Sequence, residues 1–590
     1  MQISRVGLVI SLVLMSLTGW AQTLRLPFFD DFSTTPLAPS PARWVAGSGV
    51  YINNTLTTDH PSANIATFDG LRANGLPYDL TNENAEGGTD TLTSLPIDLG
   101  GLSVRDSVYI SFFWQRRGLG ELPDAADSLA LEFLGSDGRW QKVWSESGGV
   151  VNNNYTQQLV RTDNALFFHS AFRFRFRSRG RQSGAFDQWH LDYIYMNRGR
   201  TRFDRFVRDL AIRRPVSPLL RRYSAMPLRQ FLAKATTELA DTVSSDARNL
   251  FNDPAGFNQL NFRFTLRNQQ TGTVFQSDTL ANSLSVPSLG AQAVTWRRPT
   301  VITSDLSGRA VLQAQFRLLT NVSAADPVDF RLNDTLSNVT VLDNYYAYDD
   351  GSAEIATQIN QRLARVAVRF VNNLPDAVKG VRIYIAPTRR NQENQQIAFS
   401  IFNDAGNNSP ATRQLMQQTF PIKYATVRNG FVDYLFTNPV NVRDTFYVAY
   451  AQLDDPPIPI GFDRNSPFRN NTFINLGTRW DAVTGPEGAG ALMIRPIMNN
   501  GPATVLTATE PEAPAQVFPN PSTGAVNWGG SLAGSVRLDV TDLSGRTWLT
   551  MSLAPTQTKA ELGQLPDGFY LLRFTNEAER TRTVKWIIRH

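Results

Sequence analysis

The chain contains no cysteine. That removes thiolate nucleophiles, cysteine zinc sites, iron–sulfur clusters and disulfides together. Histidine is nearly as scarce: His60, His169, His190 and His590 are all there are, and none is followed by glutamate, so the H-E-x-x-H zinc helix is excluded. No Gly-Lys dipeptide occurs, which excludes a P-loop. Lysine supplies six of the 57 basic residues and arginine the rest; against 52 acids the net charge is +5, too weak a field over 590 residues for a dedicated nucleic-acid binder. Arginine's planar donor fork suits carboxylate and phosphate, so anionic glycans and lipid headgroups are admissible partners. Beyond the first 21 residues no apolar run approaches the ~20 residues of a membrane span, so no transmembrane segment is expected in the mature chain.

What the chain has in quantity is β-forming and turn-forming sequence. Hydrophobic residues make up 42%, with 40 glycines and 33 prolines, a mixture that suits many short strands joined by turns. At roughly 100–200 residues per domain, the length predicts about three to five domains. Arg5, the apolar run Val6 to Leu17, and Gly19-Trp20-Ala21 together read as a secretory signal over residues 1–21, cleaved between Ala21 and Gln22.

The expected fold class is all-β, a string of β-sandwiches. Residues 24–199 alternate as a jelly-roll-like sandwich: Val108, Ile110, Phe112 and Trp114 share one face, and Phe172-Arg173-Phe174-Arg175-Phe176-Arg177 sends phenylalanines inward and arginines outward. Residues 201–342 open on an arginine-rich connector and read as an immunoglobulin-like sandwich. Residues 343–499 read as a second jelly-roll-like sandwich, with Ala364, Val366, Val368 and Phe370 on one face. Residues 500–516, rich in Pro, Thr and Ala, are a linker with too few large side chains to bury a core. No helix-period stretch of useful length stands out after the signal.

The last block, residues 517–590, carries ordered motifs: Phe518-Pro519-Asn520-Pro521, then Asp542-Leu543-Ser544-Gly545-Arg546, then Leu565-Pro566-Asp567-Gly568-Phe569-Tyr570, then the terminal strand around Lys585 and Trp586. This order resembles the type A sorting domain of the Bacteroidetes type IX secretion system. The resemblance implies an immunoglobulin-like domain, with Pro519, Asn520, Pro521, Gly545, Arg546, Gly568, Tyr570 and Lys585 as its motif residues. It further implies two partners, an outer-membrane translocon and a sortase, and a product secreted or attached to surface lipopolysaccharide.

Candidate site residues are few, and no catalytic residue stands out. Arg173, Arg175 and Arg177, with Trp189 nearby in sequence order of strands, are candidates for binding an acidic glycan. Residues 24–199 more weakly resemble concanavalin-like and MAM-like secreted modules, whose frequent calcium makes Asp30, Asp31 and Asp192 candidate ligands should the first and last strands be neighbours. His190 is expected on a polar face. Six Asp-Ser/Thr-aliphatic tripeptides resemble the Bacteroidetes O-glycosylation acceptor, at Thr91, Ser107, Ser128, Thr242, Thr279 and Thr335. The same pairs also suit turn-to-strand junctions. The expected function is adhesion or glycan binding at the cell surface. The alternatives are an extracellular hydrolase of polysaccharide or protein, and a structural spacer.

Overall fold

Alternation decides the elements. In the computed structural model the strand Phe174–Arg181 buries Phe174 and Phe176 completely and turns Arg177 and Arg179 to solvent. The described residues are 23–252, 255–319, 327–503, 516–528, 536–554, 557–576 and 581–590. The secretory signal expected over 1–21, and the 504–515 part of the expected linker, lie outside them.

Ten strands build the first sandwich: β1 (Phe28–Asp30), β2 (Tyr51–Asn53), β3 (Ile65–Phe68), β4 (Glu86–Thr93), β5 (Tyr109–Arg116), β6 (Ser128–Leu134), β7 (Trp140–Ser147), β8 (Thr156–Arg161), β9 (Phe174–Arg181) and β10 (Trp189–Asn197). One sheet runs β2-β3-β10-β5-β8, with β1 also paired to β10; the other runs β4-β9-β6-β7. Phe112, Trp114, Leu131, Phe172, Phe174, Phe176 and Trp189 fill the space between them. Chain neighbours are spatial neighbours only in part, so first and last strands do meet, at Phe28↔Met196 and Asp30↔Ile194.

The next residues form a three-stranded and a five-stranded sheet, the latter in the order Ala225–Pro227, Thr335–Asp343, Ala310–Leu318, Phe262–Asn268, Val274–Thr279. The third set centres on a six-stranded sheet in which Arg365–Val371 and Thr445–Gln452 are central. Among the described residues helix is confined to short pieces such as Leu228–Ala233. These sandwiches are not separate beads. Residues 1–503 are one compact unit, and one core cluster runs from Ile212 and Phe264 through Tyr346 to Phe399 and Met498. Tyrosines at the seam explain the continuity: the Tyr223 and Tyr348 rings stack at 4.9 Å, and Tyr348 stacks on Phe370 at 5.2 Å. Among the described residues no helix is long and apolar enough to cross a membrane.

The described residues from 516 onward form the second compact unit. It holds a three-stranded sheet (Val517–Phe518, Ala525–Trp528, Lys559–Glu561) and a four-stranded sheet in the order Thr547–Leu553, Val536–Asp542, Gly568–Asn576, Thr581–Ile588. Its core draws on its own residues, among them Val526, Trp528, Leu538, Leu572, Phe574 and Trp586.

Candidate ligand face and C-terminal module

Strand β9 lies between β4 and β6, and its register sets a basic face. Arg175 stands opposite Thr93 and Glu132, Arg177 opposite Thr91 and Ala130, and Arg179 opposite Gly88 and Ser128. Glu132 faces the exposed Lys142 of β7. Directly opposite residues share a sheet face, so Arg175, Arg177, Arg179, Glu132 and Lys142 lie on one face, with Arg173 just before the strand in the same alternation. Arg175 Nε donates to Glu132 Oε2 at 2.6 Å, and its guanidinium lies 4.1 Å from the Trp140 ring centre. Arg177 Nη1 is 3.8 Å from Glu132 Oε1. Sequence order had not linked Trp140 or Glu132 to the arginines, because both sit on other strands.

Trp189 does not join this face. It is fully buried, since β10 is a central strand between β3 and β5, and its ring packs 6.4 Å from Trp114. His190 is likewise buried rather than set on a polar face; Thr67 Oγ1 lies 3.0 Å from its Nδ1, and burial lowers its pKa to about 4, which keeps it neutral.

Nor do Asp30, Asp31 and Asp192 form one ligand cluster. Asp30 Oδ2 accepts from Trp44 Nε1 at 2.5 Å; Asp31 Oδ1 accepts from Ser33 Oγ at 2.6 Å; Asp192 Oδ2 accepts from Ser62 Oγ at 3.0 Å. Protein donors from three different segments serve them. Burial raises all three carboxyls, that of Asp30 to about 6. The partners of Asp31 include one that sequence gave no sign of: Asn333 Nδ2 lies 3.1 Å from Asp31 Oδ2, 2.9 Å from the Tyr193 hydroxyl and 2.7 Å from Asp209 Oδ2. Among the described residues, the acids whose oxygens come within 4.8 Å of one another are instead Asp124, Asp127 and Asp187.

Two of the cavities among the described residues of the first unit are large enough for a small ligand. One of about 600 Å³ is lined by Asp59, His60, Tyr345, Asp350, Asp463 and Arg469, among others. The other, about 330 Å³, is lined by Tyr51, Phe186, Gln188, Glu354 and Tyr384. Their acids are occupied: Glu354 Oε2 accepts the Arg464 N–H at 2.7 Å, and Asp463 accepts the N–H groups of Asp350 and Ser466, each at 2.7 Å. Carboxylates held in this way brace loops.

Four of the six Asp-Ser/Thr-aliphatic triplets follow the pleat, with the aliphatic residue in and the hydroxyl outward or half-exposed: Thr91 before buried Leu92, Ser128 before Leu129, Thr242 before Val243, Thr335 before Leu336. Thr279 is exposed beside half-buried Leu280, and Ser107 Oγ donates to the Arg200 carbonyl at 3.0 Å.

In the C-terminal unit the motif residues work as joints. Asn520, between Pro519 and Pro521, bonds the final strand twice: Nδ2 donates to the Lys585 carbonyl at 3.0 Å and Oδ1 accepts the Ile587 N–H at 2.9 Å. Gly545 takes φ of +84° in a turn that Asp542 organises by accepting from the N–H groups of Ser544 and Arg546. The Arg546 guanidinium lies 4.7 Å from the Trp548 ring centre. Gly568 opens the strand carrying Tyr570, whose hydroxyl donates to the Pro566 carbonyl at 2.9 Å and whose ring lies 6.2 Å from that of buried Trp586. Lys585 is exposed.

Residues 516–589 match the family described as the secretion system C-terminal sorting domain. The tail is a type IX sorting domain. A sorting domain implies handling by the type IX machinery and secretion across the outer membrane. The larger unit is described by fold alone. No curated protein matches the chain in sequence. Solved structures similar to it include Bacteroides uniformis beta-glucuronidase 2 (11% identity, TM-score 0.21, covering 47% of this chain and 29% of that one). A clostridial cysteine protease after propeptide cleavage is another (7%, TM-score 0.21, 42% and 73%), as is the Endo-D glycoside hydrolase domain from Streptococcus pneumoniae (8%, TM-score 0.20, 54% and 44%). The chain thus spans less than a third of the glucuronidase's length, and these likenesses are distant β-sandwich portions.

Proposed function

We propose that this exported chain is a surface protein that binds anionic polysaccharide on the outer face of the β4-β9-β6-β7 sheet. One observation carries the reading: Arg175, Arg177 and Arg179 alternate along β9, continuing from Arg173 just before it, with Lys142 on the same face and one carboxylate, Glu132, held by Arg175 and Arg177. Alternate residues on a strand are about 6.6–6.8 Å apart, so the row presents cations at a regular interval over about 20 Å. A linear polymer with repeating carboxylates or sulfates offers charges along one line, and arginine's fork bonds such groups in pairs. The Trp140 ring beneath Arg175 adds a flat apolar surface beside the charge. Under this reading a sortase removes the sorting domain at the surface and leaves the chain released or joined to anionic lipopolysaccharide. O-glycans at Thr91 and Ser128 would stand beside Arg177 and Arg179 and narrow the face, a property that mass spectrometry of the secreted protein tests.

The deciding experiment is a glycan array probed with the mature chain. Acidic polysaccharides should retain it and neutral ones should not. The triple variant R173S/R175S/R177S should lose that retention, and unchanged binding by the variant would refute the assignment.

A further inference from the structure

The arginine-rich connector after β10 has no part in the basic face, and its structure is unusual for a linker. Phe203 is 71% exposed and Phe206 51% exposed, and Arg198, Arg202 and Arg205 are exposed around them. Scattered exposed phenylalanines need no explanation. Here, however, the loop that carries them is braced from within.

Arg200 is the brace. Its side chain is buried, Nη1 donates to the Tyr195 carbonyl at 2.9 Å, Nη2 donates to the Asp204 carbonyl at 3.2 Å, and the guanidinium lies 4.6 Å from the Tyr195 ring centre. The loop's acid, Asp204, is exposed, and its carboxylate closes the turn by accepting from Thr201 N–H at 2.9 Å and Thr201 Oγ1 at 3.1 Å. Beyond the phenylalanines, Val207 packs against the cluster of Phe29, Tyr193, Leu250 and Phe330. Both ends are therefore fixed, and the segment between them displays two phenyl rings, each preceded by an arginine.

We propose that this loop is a docking surface for an anionic lipid bilayer. The pattern matches what a bilayer surface offers at two depths: phosphate for the guanidinium groups, and the acyl boundary just beneath for the rings. A polysaccharide would engage the arginines and cover at most one face of a ring, whereas a bilayer takes both rings out of water. A neutral bilayer would accept the rings and leave the cations without partners. The Arg202 guanidinium lies 4.7 Å from the Phe203 ring centre, and its flexible stem lets the head swing to the headgroup layer as the ring enters. The sorting domain delivers the chain across the outer membrane, to where a lipid surface is available, and the docking does not depend on the glycan reading.

The absence of cysteine makes the test direct. The mature chain carrying Phe206→Cys, labelled there with an environment-sensitive nitrobenzoxadiazole group, is titrated with vesicles of equimolar phosphatidylglycerol and phosphatidylcholine, and with phosphatidylcholine vesicles alone. A blue-shifted, brighter emission with the anionic vesicles only is expected. With unlabelled protein, F203S/F206S should lower cosedimentation with anionic vesicles by at least about tenfold. R202S/R205S should lower it by a similar factor and flatten its salt dependence. All these positions are exposed, so the melting temperature should not change. The proposal is overturned by anionic vesicles that leave the emission unshifted, or by cosedimentation of F203S/F206S equal to wild type. It is also overturned by a dimer in analytical ultracentrifugation that F203S/F206S dissolves, which would assign the rings to a second copy of the chain.

Discussion

Asn520 and Ile587 are joined by a hydrogen bond of 2.9 Å from the Ile587 N–H to the Asn520 side-chain oxygen, and the same amide donates to Lys585 on that strand. The first motif of the sorting domain therefore holds its last strand in register. Asn520→Ala removes both bonds and should weaken the strand's attachment by about 1–2 kcal/mol. Hydrogen exchange checks this: the Ile587 amide should exchange faster in the variant, while amides of the first unit keep their wild-type rates.

Glu132 sits within the basic face as an internal counter-ion for Arg175. Glu132→Gln keeps the shape and removes the charge, so retention on an acidic polysaccharide column should shift to higher salt. Arg175→Ser should shift it to lower salt. The pair is partly exposed, so stability should change by less than about 1 kcal/mol in either variant. The matching substitutions at the exposed Asp329–Arg331 pair, outside this face, should leave retention unchanged, which separates binding at this face from an effect of net charge.

Gln230 is the joint at the seam inside the first unit. It is buried on the helix Leu228–Ala233; its Oε1 accepts the N–H groups of Asn373 and Leu374, both at 2.8 Å, and its Nε2 donates to the Leu374 carbonyl and to Asp376 Oδ2, both at 3.0 Å. Gln230→Ala leaves these groups unsatisfied in the interior, at a cost of about 2–4 kcal/mol. Differential scanning calorimetry should show a lowered main transition, with the loop around Asn373 opening first by hydrogen exchange.

Buried carboxyls give the fold a pH signature. Burial raises Asp90 and Asp209 to about 7 and Asp334 to about 8. In the unfolded chain they titrate near 4. The native state therefore holds more protons between those values, and stability falls as pH rises through that window. His60 and His190, lowered by burial to about 4, act oppositely between about 4 and the unfolded value near 6.5. Above that the carboxyls act without this opposition, so the melting temperature should fall from about pH 6.5 to pH 8. Asp209→Asn should flatten this slope, each carboxyl counting about 1.4 kcal/mol per pH unit across its titration.

Much of the fold was legible because strands write themselves in period two: the Phe172 to Arg177 run gave the inner and outer faces of β9, and the order of motifs from Pro519 to Lys585 gave the tail. Period two does not report whether a strand is central, and Trp189 shows the consequence. A large aromatic in an alternating run fits an exposed face or a doubly covered strand equally well, and only the pairing of β10 with β3 and β5 decides. Proximity in three dimensions was the other blind spot. Asp30 and Asp192 do lie on paired strands, with Asp31 just past the first, yet the groups that bond their carboxylates, Trp44, Ser33, Asn333 and Ser62, come from turns and other segments. Continuity of the core between the second and third sandwiches was hidden for the same reason, since Tyr223 and Tyr348 are 125 residues apart.

The central claim is that the C-terminal unit is a self-contained export label. Cell fractionation of a strain producing the chain without residues 516–590 tests it most directly. The truncated protein should accumulate, folded, in the periplasm. Its arrival at the cell surface or in the medium at the level of the full chain would contradict it.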